Sequence, residues 1–109
     1  MRKSTIRLEV ELDAQSMPER IAWDASEKPE GGLSDTKAIA LSVWDHEQKN
    51  TLRIDLWTKE MPVDEMKRFC IDCVGGLAQT ILTATSDEWM ATEMRALCDR
   101  LAARIRQED

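Results

Sequence analysis

The apolar residues of this chain change their spacing once, and that change limits the folds open to it. As far as Lys59 they tend to recur at every second position; from Val63 onward they recur with a helical period. A period of two marks a half-buried strand, and a period of about 3.6 marks an amphipathic helix. Strands first and helices afterwards predict an α+β layer arrangement. It should have an antiparallel sheet of three to four strands, with two C-terminal amphipathic helices packed on one face. The chain has 109 residues, so 1–109 reads as a single domain. A core of that size buries about two-thirds of the unfolded surface without staples.

Ile6, Leu8, Val10 and Leu12 alternate with Arg7, Glu9 and Glu11, which gives a half-buried strand. Asp13 to Glu19 is a connection containing Pro18, and Arg20 to Ala25 is a second strand with Ile21 and Trp23 facing the core. Pro29 and Gly31-Gly32 break the polar stretch from Ser26 to Gly32. Ser34 or Asp35 is placed to cap a short helical turn through Lys37. Ile39 to Asp45 and Leu52 to Lys59 form a hairpin turning within Glu47 to Asn50. Pairing Val43 with Ile54, Leu41 with Leu56, Trp44 with Arg53, Ser42 with Asp55 and Ala40 with Trp57 keeps Leu41, Val43, Leu52, Ile54 and Leu56 on one inward face. A one-residue slip would put Arg53 in the core.

In the helical half, Pro62 suits a first helical position, followed by Asp64 and Glu65 in the positive first turn. The apolar stripe then runs through Met66, Phe69, Cys70, Cys73, Val74, Leu77 and Ile81. Gly75-Gly76 costs about 1 kcal/mol per residue relative to alanine, which suggests a close neighbour or a kink. Thr85-Ser86-Asp87-Glu88 reads as a capping box for the last helix. That helix carries Met90, Met94, Leu97, Cys98, Leu101 and Ile105 on one stripe, and Trp89 is expected at the helix–helix corner.

Composition excludes several classes of function. Fifteen basic against 21 acidic residues give a net charge of −6. An anionic chain gains nothing by displacing counterions from a phosphate backbone, so nucleic-acid binding is not expected. Nor is docking on an anionic lipid surface. No apolar run is long enough to span a bilayer. Met1-Arg2-Lys3 begins like a signal peptide, but Arg7, Glu9 and Glu11 occupy the place of its apolar region. The expected location is therefore cytoplasmic, with the three cysteines reduced.

No constellation of catalytic residues emerges. Cys70-Ile71-Asp72-Cys73 has the spacing of a redox pair, yet it lies about two turns inside a helix, away from the N-terminal dipole that lowers a thiol pKa. Two small buried hydrophobes fit better. A metal would need two further ligands, and Cys98 and His46 are the only soft ones. His46 sits between Asp45 and Glu47 at a hairpin turn with no nucleophile beside it. No catalytic residue, cofactor or metal is expected.

Trp44 and Trp57 are the informative side chains. The alternation that buries Leu41 and Ile54 sends Trp44, Arg53, Asp55 and Trp57 to the other sheet face, together with Arg7 and Glu9. Tryptophan and arginine are enriched at binding hot spots. These six residues form the expected interaction surface, open to a protein partner or a second copy unless the segment from Ser26 to Leu33 folds over it.

One resemblance accompanies these residues. The opening from Arg2 to Asp13, the stretch Met17-Pro18-Glu19-Arg20-Ile21-Ala22-Trp23, the run Leu41-Ser42-Val43-Trp44-Asp45, and above all Thr51 to Lys67 resemble the gliding motility protein family GldC. The likeness is strongest from Ala38 to Phe69 and departs at Cys70, Cys73 and Gly75-Gly76. It implies a small cytoplasmic accessory protein of gliding bacteria, associated with gliding and its linked secretion machinery, with protein partners and without enzymatic activity or cofactor. The rival classes are a secretion-chaperone-like dimer, a small-molecule binder or enzyme with a pocket between sheet and helices, and a thiol redox module.

Overall fold

A computed structural model describes residues 1–108. It contains β1 (Ile6–Leu12), β2 (Pro18–Ala25), β3 (Ser34–Thr36), β4 (Ala38–Asp45), β5 (Asn50–Trp57), α1 (Val63–Thr85) and α2 (Glu88–Glu108). The fold is α+β, as the change of period predicts. The strands form one compact unit, Met1–Met61, and the helices form another that begins at Pro62.

In the strand unit β1 and β2 pair antiparallel, with Leu8 opposite Trp23 and Val10 opposite Ile21. Asp13 builds their turn. Its Oδ1 accepts from the backbone N–H of Gln15 at 2.9 Å and of Met17 at 3.0 Å. Ser16 takes a left-handed φ of 62°. A register shift between Glu11 and Leu12 brings Leu12 opposite Pro18, the first residue of β2, where a missing N–H is tolerated.

The stretch expected as a helical turn is instead β3. Ser34 pairs with Trp23 and Thr36 with Ile21, filling the free edge of β2. Arg20 holds Asp35 with Nε 2.9 Å from Oδ1. A third strand gives β2 a second ladder, which outweighs the local turn preference of Ser and Asp. After the single residue Lys37 the chain continues as β4 and changes partner to β5. The strands therefore divide into sheets of order β1-β2-β3 and β4-β5.

The hairpin register lies two residues from the one expected. Ile39 faces Leu56, Leu41 faces Ile54 and Val43 faces Leu52. Both registers keep the same residues on each face. The observed one adds a third aliphatic cross-strand pair and shortens the loop to His46–Lys49. Asp45 decides for the short loop: its Oδ1 accepts from the N–H of Glu47 at 2.9 Å and of Gln48 at 3.3 Å, while Lys49 adopts a φ of 57°.

In the helix unit, Pro62 stands one place before α1 as its N-cap, extended at φ −66° and ψ 147°. Its carbonyl accepts the first helical bond from Met66 at 2.9 Å. The α1 C-cap is Ser86, left-handed at φ 61°. Asp87, rather than Thr85, caps α2, its Oδ1 accepting from Met90 N–H at 2.9 Å. α1 packs against α2 through small residues, with Ala78 and Ala91 buried. Across the same seam Cys98 Sγ donates to Ile71 O at 3.6 Å, and Arg95 donates to Gln79 Oε1 at 3.1 Å. Neither glycine is demanded by sterics: a Cβ on Gly75 would meet Cys98 Sγ at an ordinary 4.0 Å, and one on Gly76 would meet nothing.

Candidate protein-interaction surface

The strand unit buries few large side chains. Ile21, Ala22 and Ala38 are its fully buried apolar residues among those described. Ile6, Leu12 and Met17, at the ends of β1 and in its turn, are exposed, so the first strand is more open than its alternation predicts.

The hairpin is open on both faces. Ile39 and Leu56, near its base, are half-buried. Further out, Leu41 is 37% exposed, Val43 51%, Leu52 54% and Ile54 53%, although the pattern predicts all four facing inward. On the opposite face Trp44 is 62% and Trp57 54% exposed. These six leave on the order of 600 Å² of apolar surface uncovered, divided between the two faces of the hairpin. The physical reason for the discrepancy is that alternation identifies an apolar face, not what covers it.

The structure brings four of the six expected surface residues onto one hairpin face. In sequence order across the ladder, Trp44 lies opposite Thr51, Ser42 opposite Arg53, Ala40 opposite Asp55 and Ala38 opposite Trp57. The two-residue register change thus moves Trp44 away from the position directly opposite Arg53. It also sets the two indoles at opposite ends of the face, about 20 Å apart along the strands. Between them the Arg53 guanidinium forks onto Asp55, Nη2 to Oδ1 at 2.8 Å and Nε to Oδ2 at 3.1 Å, and also donates to Ser42 Oγ. The result is a pinned, near-neutral polar centre flanked by aromatic ends. Arg7 and Glu9 lie on the other sheet, in β1, where they form their own ion pair. The Ser26 to Leu33 segment attends to a different tryptophan: Lys28 Nζ sits 4.7 Å from the Trp23 ring centroid and donates to Gly32 O at 2.6 Å and to Ser34 Oγ. Trp23, expected in the core, is 36% exposed beneath that cation.

One residue that pattern reasoning passes over secures the hairpin base. Lys59 Nζ donates to Asp13 Oδ2 at 2.8 Å, tying the turn after β5 to the β1–β2 turn. The Asp13 side chain is only 13% exposed. The hydrogen bond from Lys59, then that from the Met17 amide, lowers the Asp13 carboxyl pKa from 3.8 to about 2, and the same pairing raises that of Lys59. Its signal in the sequence is an aspartate five residues before a proline-led strand, the composition of an Asx turn. Thr58 beside Lys59 is buried, and its N–H donates to Lys37 O at 2.9 Å.

The thiols do not form a shared apolar cluster. Cys70 is exposed, against expectation, while Cys73 and Cys98 are half-buried. His46 lies in the hairpin loop and is exposed. Trp89 in the first turn of α2 is 73% exposed rather than packed at a corner. Among the described residues, no three His, Cys, Asp or Glu side chains converge to hold a metal ion. No helix among them is long and apolar enough to cross a membrane.

The fold is α+β, and its hairpin has an open apolar face on one side and a Trp-flanked charge pair on the other. Residues 18–107 match the family described as gliding motility-associated protein GldC-like, and the chain belongs to that family. No curated protein and no solved structure gives a match. The protein is therefore gliding motility-associated, in agreement with the resemblance carried by Thr51 to Lys67.

Proposed function

We infer that this chain is a non-enzymatic accessory protein that serves gliding, and the secretion linked to it, by holding other protein chains on its β4–β5 hairpin in the cytoplasm. The observation that carries the reading is the exposure of both hairpin faces, aliphatic on one side and Trp44, Arg53, Asp55 and Trp57 on the other. Tryptophan and arginine are the residue types enriched at protein-binding hot spots. Arg7 and Glu9 form a separate exposed ion pair on β1, in the other sheet, as a second place for a partner to touch. Family membership agrees with protein partners. The experiment is complementation of a deletion strain of a gliding host with Trp44→Ala combined with Trp57→Ala. The expected result is lost or slowed gliding with the variant present at normal abundance and folded. Full gliding with both indoles removed would refute the reading.

A further inference from the structure

We propose that β4 is a dimerisation edge, where a second copy of this chain pairs antiparallel to make one four-stranded sheet, β5-β4-β4-β5. The inference concerns the edge of the hairpin rather than its faces and stands apart from the functional reading above.

The hydrogen bond from Thr58 N–H to Lys37 O sets the parity of the ladder, so that Ile39, Leu41 and Val43 direct their backbone groups toward β5. Ala40, Ser42 and Trp44 then direct theirs outward. β3 uses the corresponding edge to bond β2, but β2 and β4 are not ladder partners. Beyond Ala38, whose carbonyl accepts from Thr36 Oγ1 at 3.2 Å, the outward groups have no backbone partner among the described residues. Unpaired edges are ordinarily protected by charges, proline, bulges or shortness. β1 carries Arg7, Glu9 and Glu11, β5 carries Arg53 and Asp55, and β3 has three residues. β4 carries its one charge at its last residue, Asp45: from Ala38 to Trp44 it reads Ala-Ile-Ala-Leu-Ser-Val-Trp, without a charge or a proline.

The strand is also complementary to itself. A two-fold axis at Leu41 sets Leu41 against its own copy, Ala40 against Ser42, Ile39 against Val43, and small Ala38 against bulky Trp44. At each end it sets Lys37 against Asp45. Apolar meets apolar, small meets large, and opposite charges meet, which is what an isologous contact requires. The outward-facing Ala40 and Ser42 become the hydrogen-bonded pair of that ladder. Pairing joins two three-rung aliphatic faces into one, and the surface it buries is uncharged along seven consecutive residues of each strand.

The test is sedimentation velocity of the full chain at high micromolar concentration, alone and as Ser42→Pro, Ser42→Ala and Lys37→Glu. Ser42→Pro removes an outward N–H together with the hydroxyl that accepts from Arg53, and should leave the β4–β5 ladder intact. Ser42→Ala controls for the hydroxyl bonded by Arg53. The wild type and Ser42→Ala should sediment at twice the 12.5 kDa chain mass, and Ser42→Pro at the single mass with an unchanged far-UV spectrum. A monomeric wild type overturns the proposal, as does a folded Ser42→Pro that remains dimeric. Should Ser42→Pro unfold, Lys37→Glu decides: facing Asp45 of the other copy at both ends, it should raise the dissociation constant at least about fivefold at low salt. An unchanged constant overturns the proposal.

Discussion

Replacing Val43 and Leu52 together by threonine separates an aliphatic face that is open in the folded chain from one that is packed. The two residues face each other across the hairpin, and threonine keeps the strand preference of both positions. A fully buried valine or leucine contributes about 1.5–3 kcal/mol. Val43 is 51% and Leu52 54% exposed, so about half of that is realised within the chain. The double variant should lose at most about 1.5–3 kcal/mol in a urea melt, with the slope of the transition unchanged because the surface exposed on unfolding hardly differs. The other half of the apolar surface is available to a probe. The native wild type should enhance the fluorescence of an anilinonaphthalene dye at neutral pH, and the variant should do so distinctly less. A wild type that leaves the dye dark, beside a variant that loses more than about 4 kcal/mol, would mean that these side chains are fully packed, because only buried truncations or buried hydroxyls reach that cost. That pair of results would refute the open face and the functional reading built on it.

Two further outcomes follow from local geometry. Asp13→Asn should lower the melting temperature near neutral pH. Because the folded carboxyl titrates at about 2 against an ordinary 3.8, its contribution is complete above the ordinary value and is lost as the pH falls. The gap to wild type should therefore close between about pH 4 and about pH 2, and a gap that persists at the acid end contradicts the Lys59 pairing. Gly76→Ala, an exposed helical site with nothing near the added Cβ, should raise stability by about 0.5–1 kcal/mol in a thermal or urea melt; a loss of stability would show that α1 needs the glycine for a contact the structure does not contain.

The fold was largely legible in the sequence because its periods are clean. The strand Ile6 to Leu12, both arms of the hairpin and both helices are written in alternation and in apolar stripes, and the strand boundaries differ by no more than two residues. β3 was not legible. Ser34-Asp35-Thr36 is short, polar and locally turn-forming, and it becomes a strand only because β2 offers a free edge. The register was half legible. Alternation fixes which residues share a face but is indifferent to a slip of two, and the Asp45 carboxylate and its loop made that choice. Of the candidate surface, the face membership of Trp44, Arg53, Asp55 and Trp57 was legible, while the spacing of the indoles was not, since it depends on the register. Exposure of the aliphatic face was not legible at all. Leu41 and Ile54 have the same pattern whether their cover is the same chain or another one.

The hairpin has three surfaces of different chemistry, and one physical argument links them. A two-stranded hairpin is marginal by itself. Here its base is secured, by Thr58 on Lys37 and by Lys59 on Asp13, and its exposure rises from the half-buried Ile39 and Leu56 to Val43 and Trp44 further out. The outer rungs are thus the part whose order depends most on what they touch. Anything that binds the folded hairpin and not the unfolded one stabilises it by mass action. Edge pairing at β4 would order Leu41, Val43 and Trp44, and those same residues carry the aliphatic face and one aromatic anchor. A chain held at one surface of the hairpin therefore presents the others already ordered, and pays less conformational entropy when a partner arrives there. Occupancy of the edge and of either face should for that reason be positively coupled.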